Sequence, residues 1–441
     1  METLIVVIAL LVEVAFTWFG IVTKQYQQKA RNWLRISGFL IFVILVSSTA
    51  IVWSFRWMLL AGLLFLLAGI GTVSLIRNKE SKRDFRPSRM VIKAVMMTVL
   101  LIAALVPALV FPQHKLPKVT GQYEVATAAY TYIDENRIEE LADTGKNRFV
   151  NVQYWYPEKI DGTYPLLVFS HGATGIKTSN ASTFRELASH GYVVCSIDHP
   201  YHSFYTVSDD GTFTLMNSDY KMEFDNANKE GIYTREQIYG LIQKWMKLRT
   251  DDMNFVIDTI LKKSPDEKDP VYQLINKENI GVFGHSMGGA ASVWLGRERK
   301  DVKAVVNIDA PFFSELVYNK GSDDFEASGN AYLTPTLNIY SDDVWNQLGV
   351  NSTYAANSNA DKMFKEAYTV HFQGAKHLSL TDLPLFSPLL ANMLQGGKAT
   401  IDPYFCIEKE NELILNFFDS KLKGKGRFTS ERVYGSNLNG R

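Results

Sequence analysis

Cysteine is nearly missing from this chain. Its 441 residues carry two, Cys195 and Cys406, with no Cys-x-x-Cys pair. That excludes a disulfide framework, and Cys195, inside an apolar strand-like run, reads as a buried free thiol. An excess of charge of either sign is missing too. Forty-six basic residues balance 46 acidic ones, so no basic field is available for a nucleic-acid backbone or another polyanion. There is no internal repeat and no low-complexity tract. What is present is unevenly placed, because apolar residues crowd the first quarter of the chain and the remainder has the mixed composition of a soluble domain.

Four apolar stretches, about 3–23, 35–55, 57–76 and 91–111, approach the roughly 20 residues a helix needs to cross a hydrocarbon core. A cleaved signal peptide is rejected for the first, which lacks a basic start and a small-residue cleavage site and is followed by three more stretches. Lys24, Lys29, Arg31 and Arg35 fall in the first linker, and Arg77, Lys79, Lys82, Arg83, Arg86 and Arg89 in the third. The second linker carries Arg56 alone, between Trp53 and Trp57. Positive residues stay cytoplasmic, so residues 1–112 read as a four-span plasma-membrane region with everything after it extracytoplasmic. A three-span alternative would put the remainder in the cytoplasm. Glu13, a lone acid in the first span, reads as a protonated or helix-paired residue rather than a proton-linked site.

After the proline-punctuated linker Pro112–Pro117 the pattern becomes strands alternating with helices. Strand-like runs are Arg148–Pro157, Pro165–His171, Gly191–Asp198, Asn279–His285, Ala304–Ala310, Pro335–Asp342 and Tyr368–Ala375. Helix-period segments fall at 181–190, 234–262, 287–297 and 407–422. Continuous apolar strands separated by helices imply an α/β domain with a mostly parallel sheet covered on both faces, assigned to residues 113–425. Residues 203–250, rich in charge and aromatics, form a cap-like insertion, and 426–441 a C-terminal tail. In such sheets chemistry gathers at the carboxyl ends of the strands.

The sharpest motif is Gly284-His285-Ser286-Met287-Gly288, a G-x-S-x-G between an apolar strand and a helix opened by Gly289-Ala290-Ala291. Ser286 is the candidate nucleophile. His377 follows the last strand in a loop and is the candidate base, where the order serine, acid, histidine requires it. His371 lies within the preceding strand and reads as packed. His285 reads as an elbow residue turned away from the serine. His199 and His202 lack a third ligand for a metal, and no metal or cofactor is expected. For the acid, Asp309 ends the strand after the elbow, and Asp342 and Asp343 end the next one; the residues alone do not choose. Ser170-His171-Gly172-Ala173-Thr174-Gly175 is a glycine-rich turn able to aim a backbone N–H, that of Ala173, at a substrate oxygen, with the Met287 N–H as second donor.

These pieces together resemble the α/β-hydrolase superfamily. More narrowly, the chain resembles the secreted and plasma-type platelet-activating factor acetylhydrolases and their bacterial esterase relatives. The resemblance covers about 118–425 and rests on Trp155-Tyr156-Pro157, Tyr164 to Gly172, Leu187 to Tyr192, the strand ending Asp198-His199, the Gly284–Gly289 elbow and Ile308-Asp309-Ala310. It implies a calcium-independent serine esterase or lipase, often acting on short or oxidised acyl chains of phospholipids. It also implies Asp309 as the triad acid, His377 as the base, and Ala173 and Met287 as oxyanion donors. The four spans and the 203–250 insertion depart from the family pattern.

The expectation is a membrane-anchored hydrolase cleaving lipid-like or short acyl esters through an acyl-enzyme. The bilayer and a small-molecule or lipid ester are its partners, nucleic acid is not, and the sequence is silent on oligomeric state. A peptidase or thioesterase could use the same residues. A non-catalytic binding or sensing domain on a membrane anchor is the reading from another class.

Overall fold

A computed structural model describes residues 2–77, 85–159, 162–263 and 269–435. The chain divides into two compact units, residues 1–115 with 386–390, and residues 116–385 with 391–441.

The first unit is built on four helices, α1 (Glu2–Val22), α2 (Gln28–Ser47), α3 (Met58–Ile76) and α4 (Pro87–Val110). Gln28–Ser47, Phe55–Ile76 and Pro87–Val110 are long and apolar enough to cross a bilayer, and Val7–Val22 is a shorter apolar helix. The second stretch differs from its expected bounds of 35–55. Left-handed Lys24 and Gln27, with φ of 51° and 48°, turn the chain just before α2, and left-handed Thr49 follows its end. Lys29, Arg31 and Arg35 therefore sit in the first turns of α2 rather than in a linker. Lys79, Lys82 and Arg83 lie outside the described residues. α4 runs on through Pro107 to Val110. Glu13 is not solitary: Arg31 Nη2 lies 3.7 Å from its carboxylate, a partner one helix away that periodicity could not supply.

The second unit is organised by a nine-stranded sheet. Its strands are β1 (Val125–Ile138), β2 (Asn147–Pro157), β3 (Tyr164–Ser170), β4 (Val193–Asp198), β5 (Ile275–His285), β6 (Val302–Ile308), β7 (Thr336–Ser341), β8 (Ala367–Phe372) and β9 (Val433–Tyr434), in the spatial order β1-β2-β4-β3-β5-β6-β7-β8-β9. β1 and β2 are antiparallel to their neighbours and the rest run parallel. All seven predicted strands are present. β1 is hard to read because its polarity does not follow its faces, with Ile133 and Ile138 exposed and Asp134 buried, and β9 is too short to show a period. β9 also corrects the tail: Phe428 and Tyr434 are buried and Val433–Tyr434 pairs with β8, while residues 436–441 lie outside the described residues.

Side chains on β3 alternate between two cores. Leu166 and Val168 join one and Leu167 and Phe169 the other, the period of two that a sheet buried on both faces requires. Of the helices that cover it, α5 (Ala181–Ser189), α6 (Ser218–Ala227), α7 (Arg235–Lys263), α8 (Met287–Glu298) and α9 (Pro403–Leu422) matter most. Met246, Met253 and Val256 of α7 and Ala290 and Val293 of α8 fill the first core, and Phe184 of α5 and Ile414 and Phe418 of α9 the second. The cap-like insertion is shorter than expected. From Arg235 onward the chain is α7, whose Trp245, Met246 and Arg249 are buried, which leaves a small hairpin, Tyr205–Val207 with Phe213–Leu215, and α6.

The chain leaves β3 toward β4 on one side and then returns to β5 on the other. The strand order thus reverses direction at β3, the point at which such sheets gather their sites at the carboxyl ends of the strands.

Candidate active site

Ser286 sits between β5 and α8 with φ 54° and ψ −126°, a region an L-residue occupies only when its surroundings impose it. The imposition is visible. A Cβ on Gly284 would lie 2.3 Å from the Gly288 backbone, and one on Gly288 would lie 1.9 Å from the Ser170 carbonyl oxygen. Only glycine at both places lets β5, the turn and α8 pass this closely beside β3. Ser286 N–H donates to Ile308 O at 2.8 Å, tying the turn to β6. α8 begins at Met287, so the unpaired N–H groups and positive end of the helix surround the serine.

Asp309 follows β6 with φ 57°. Its Oδ1 accepts from the Ser341 N–H at 2.6 Å, and its Oδ2 from the Ser341 hydroxyl at 2.7 Å and from His377 Nδ1 at 2.7 Å. The carboxylate is buried, whereas the imidazole side chain is 34% exposed at its far edge. Among the described residues, Asp309 is thus the carboxylate bonded to the His377 ring. The other two candidate acids hold the loop instead. Asp342 accepts from His371 Nε2 at 2.7 Å and from Gly374 N–H at 2.9 Å. Asp343 accepts from the His377 N–H at 2.9 Å and from Lys376 Nζ at 3.3 Å. Together they fix the backbone from Gly374 to His377.

His371 is packed as its strand position predicts, stacked on Trp345 with centroids 4.6 Å apart. His285 is buried, and its Nε2 meets the His377 carbonyl at 2.9 Å. Burial and the nearby His377 push its pKa well down, so it is a neutral donor to that carbonyl.

The loop after β3 lies over the elbow: a Cβ on Gly172 would approach Ser286 Cβ at 3.4 Å. The Gly172 carbonyl accepts from His171 Nδ1 at 2.6 Å, from Arg249 Nη2 at 3.1 Å and from Gly175 N–H at 3.2 Å. In a planar trans peptide the N–H points opposite to the carbonyl, so these bonds also set the direction of the Ala173 N–H. Ala173 and Met287, the two expected donors, both border the elbow and are nearly buried.

Behind this loop is a buried polar network that the sequence reading missed. Ser170 Oγ is 2.9 Å from His199 Nε2, and His199 Nδ1 is 2.9 Å from Asp252 Oδ2. The order serine, histidine, aspartate appears again, here sealed from solvent. Burial, with Arg249 adding to it, pushes the His199 pKa down to about 3. Burial would raise Asp252, but Arg148, bonded to it at 2.7 Å, and His199 outweigh that and hold its carboxyl below the usual range. One signal was available. Ile242, Trp245, Met246, Arg249, Asp252, Met253, Val256 and Ile260 form the buried face of α7, and two charges on an otherwise apolar stripe need partners.

Comparison with known proteins comes down on the same stretch. Residues 157–432 match the family described as platelet-activating factor acetylhydrolase, isoform II. A platelet-activating factor acetylhydrolase of Gallus gallus is 26% identical over 286 residues, covering 60% of this chain and 64% of that protein. One from Canis lupus familiaris is 30% identical over 166 residues, 35% of this chain and 36% of that protein. The chain thus spans less than two thirds of the length of these relatives. In three dimensions it is similar to a ferulic acid esterase from Streptomyces cinnamoneus, with a TM-score of 0.55 and 19% identity, covering 71% of this chain and 96% of that one. That likeness shows a shared α/β-hydrolase fold.

Proposed function

Because the chain belongs to the platelet-activating factor acetylhydrolase, isoform II, family, we propose that it is a membrane-anchored serine hydrolase that cleaves carboxylic esters, lipid-like or short-chain, with Ser286, His377 and Asp309 as its catalytic residues. The observation that carries this reading is the Asp309–His377 bond of 2.7 Å beside a serine held at positive φ on a glycine-flanked elbow.

The bond to ionised Asp309 keeps a proton on His377 Nδ1 and leaves Nε2 as the base. His377 removes the Ser286 hydroxyl proton as Oγ attacks the ester carbonyl. The carbonyl π electrons move onto oxygen, where the N–H groups of Ala173 and Met287 stabilise the charge. Collapse of the tetrahedral intermediate breaks the ester C–O bond, and His377 delivers its proton to the departing alcohol. Water, deprotonated by the same imidazole, then attacks the acyl-enzyme and releases the acid, returning the proton to Ser286. Asp309 stays ionised throughout and stabilises the imidazolium.

The three apolar helices of spanning length support an anchor, and an anchored domain meets amphiphilic esters at high local concentration. The distribution of lysine and arginine supports an extracytoplasmic catalytic domain. The deciding experiment is fluorophosphonate labelling of the detergent-solubilised protein. Wild type labels, and Ser286→Ala and His377→Ala do not. A folded wild type that fails to label would instead make this a hydrolase-fold binding domain.

A further inference from the structure

Arg249 is fully buried and its guanidinium faces a row of backbone carbonyls. Nη1 donates to His171 O at 2.7 Å and to Ser170 Oγ at 3.4 Å, while Nη2 donates to Gly172 O at 3.1 Å and Ala173 O at 3.4 Å. Three consecutive carbonyls of the loop over the elbow therefore converge on one cation. Ala173 O takes a second bond, at 2.7 Å, from the hydroxyl of Tyr220. Tyr220 belongs to α6, in the insertion, and its ring stacks on His202 with centroids 3.6 Å apart and planes 10° from parallel.

Burying a guanidinium is expensive, and carbonyls compensate it less well than a carboxylate does. Arg249 Nε has no partner at all among the described residues. An apolar side chain at this point of α7 would fill the core without that cost, so the arrangement has another consequence. A planar fork that holds three carbonyls in place leaves the intervening N–H groups no freedom to rotate.

We infer that Arg249 and Tyr220 are positioning residues that hold the loop carbonyls from behind and thereby aim the Ala173 N–H at the oxyanion. Arg249 is itself steadied by the Ser170–His199–Asp252 chain, since Ser170 Oγ can donate to His199 and accept from Nη1. Tyr220 makes the insertion part of the site: Arg249 on Gly172 O sets the peptide that carries the Ala173 N–H, and α6 holds the next peptide through a bond to Ala173 O, so displacement of α6 loosens the residue that carries the donor. The inference rests on the ester-hydrolase reading above, and its test separates the two.

Tyr220→Phe removes one hydroxyl and keeps the stack on His202, whereas Arg249→Lys keeps the charge and loses the fork. Each full-length variant in detergent is compared with wild type for kcat and KM on p-nitrophenyl butyrate. Each is also compared for affinity toward a trifluoromethyl ketone of the same acyl length, whose hemiketal oxygen draws on the same donors. Loss of a whole oxyanion donor lowers kcat by about 100- to 1000-fold. Mis-aiming one should lower it by about 10- to 100-fold in Arg249→Lys and about 3- to 10-fold in Tyr220→Phe, with KM within about two-fold of wild type. The ketone should weaken in parallel with kcat, which a merely structural role would not produce. Folded variants that bind the ketone as tightly as wild type would overturn the inference while Ser286 labelling upholds the hydrolase. Should Arg249→Lys fail to fold, Tyr220→Phe decides alone. Wild type without Ser286-dependent labelling would bring down both readings together.

Discussion

Asp309 and His377 are 68 residues apart in the chain, yet Asp309 Oδ2 lies 2.7 Å from His377 Nδ1. The carboxylate also accepts two bonds from Ser341, which donates both its N–H and its hydroxyl. Asp309 is therefore pinned by β7 before it touches the imidazole, and the imidazole inherits that orientation. Asp342 and Asp343 act one step further out, on the backbone of the loop that carries His377.

This division of labour separates Asp309 from Asp342 by experiment. Asp309→Asn should lower kcat/KM on p-nitrophenyl butyrate by about 1000- to 10,000-fold, because an amide favours the wrong imidazole tautomer. Asp342→Asn should cost about 10-fold or less, acting only through loop placement. Equal losses in the two variants would reject Asp309 as the partner of the base.

Two glycines predict opposite signs of stability change. A methyl on Gly288 meets the Ser170 carbonyl at 1.9 Å, whereas one on Gly240, exposed in α7, meets nothing within 4 Å. Gly288→Ala should therefore cost at least about 3 kcal/mol through backbone displacement. Gly240→Ala should stabilise the domain by up to about 1 kcal/mol through helix propensity. Thermal unfolding of both variants measures the contrast.

Acid should weaken the fold before any exposed carboxylate titrates. Burial pushes the pKa values of His171, His202 and His285 well below the ordinary 6.5, and that of His199 to about 3. Each binds its proton more readily unfolded than folded. Their contribution is complete above about pH 6.5 and is lost as pH falls toward the folded values. Asp382, pushed by burial up to about 6, and Asp198 and Glu410, which burial also raises, act in the opposite direction. Between pH 6 and 4 four histidines oppose three carboxyls, so the unfolding midpoint should fall with acidification. The slope should be shallower in His199→Gln. A midpoint that rises on going from pH 6.5 to 5 would reject this account.

The anchor makes a topological prediction. A membrane-impermeant biotinylating reagent applied to intact cells should modify lysines of the hydrolase unit, such as Lys244 and Lys247, whose side chains are 54% and 76% exposed. Modification only after permeabilisation would favour the three-span arrangement.

Elements whose signals are local were legible in the chain alone. Gly284 and Gly288 around Ser286 mark the elbow as a five-residue pattern between a strand and a helix, although a side chain at Gly288 would strike Ser170 on another strand. The apolar runs specify β3 to β6 because a strand buried on both faces must be largely apolar, and β2 shows by its alternating Val150, Val152 and Tyr154 among polar residues. The late loop placed His377 beyond the last predicted strand. The start of α2 moved most, at the left-handed turn through Gln27, whereas α4 and α9 begin earlier than their apolar periods, each with a proline in its first turn.

What needed the tertiary structure was every relationship between residues far apart in the chain. Three aspartates end adjacent strands with equal claims, and only the packing of Ser341 against Asp309 decides which carboxylate meets the imidazole. Arg31 reaches Glu13 across a helix pair, and β9 finds a partner in β8 through the return of the chain. Arg249 shows on the apolar stripe of α7 as an anomaly, but its three carbonyl partners lie 76 to 78 residues earlier. Local patterns record the steric demands of a turn or a face. The partners of a charge are set by the way the sheet brings distant loops to one edge.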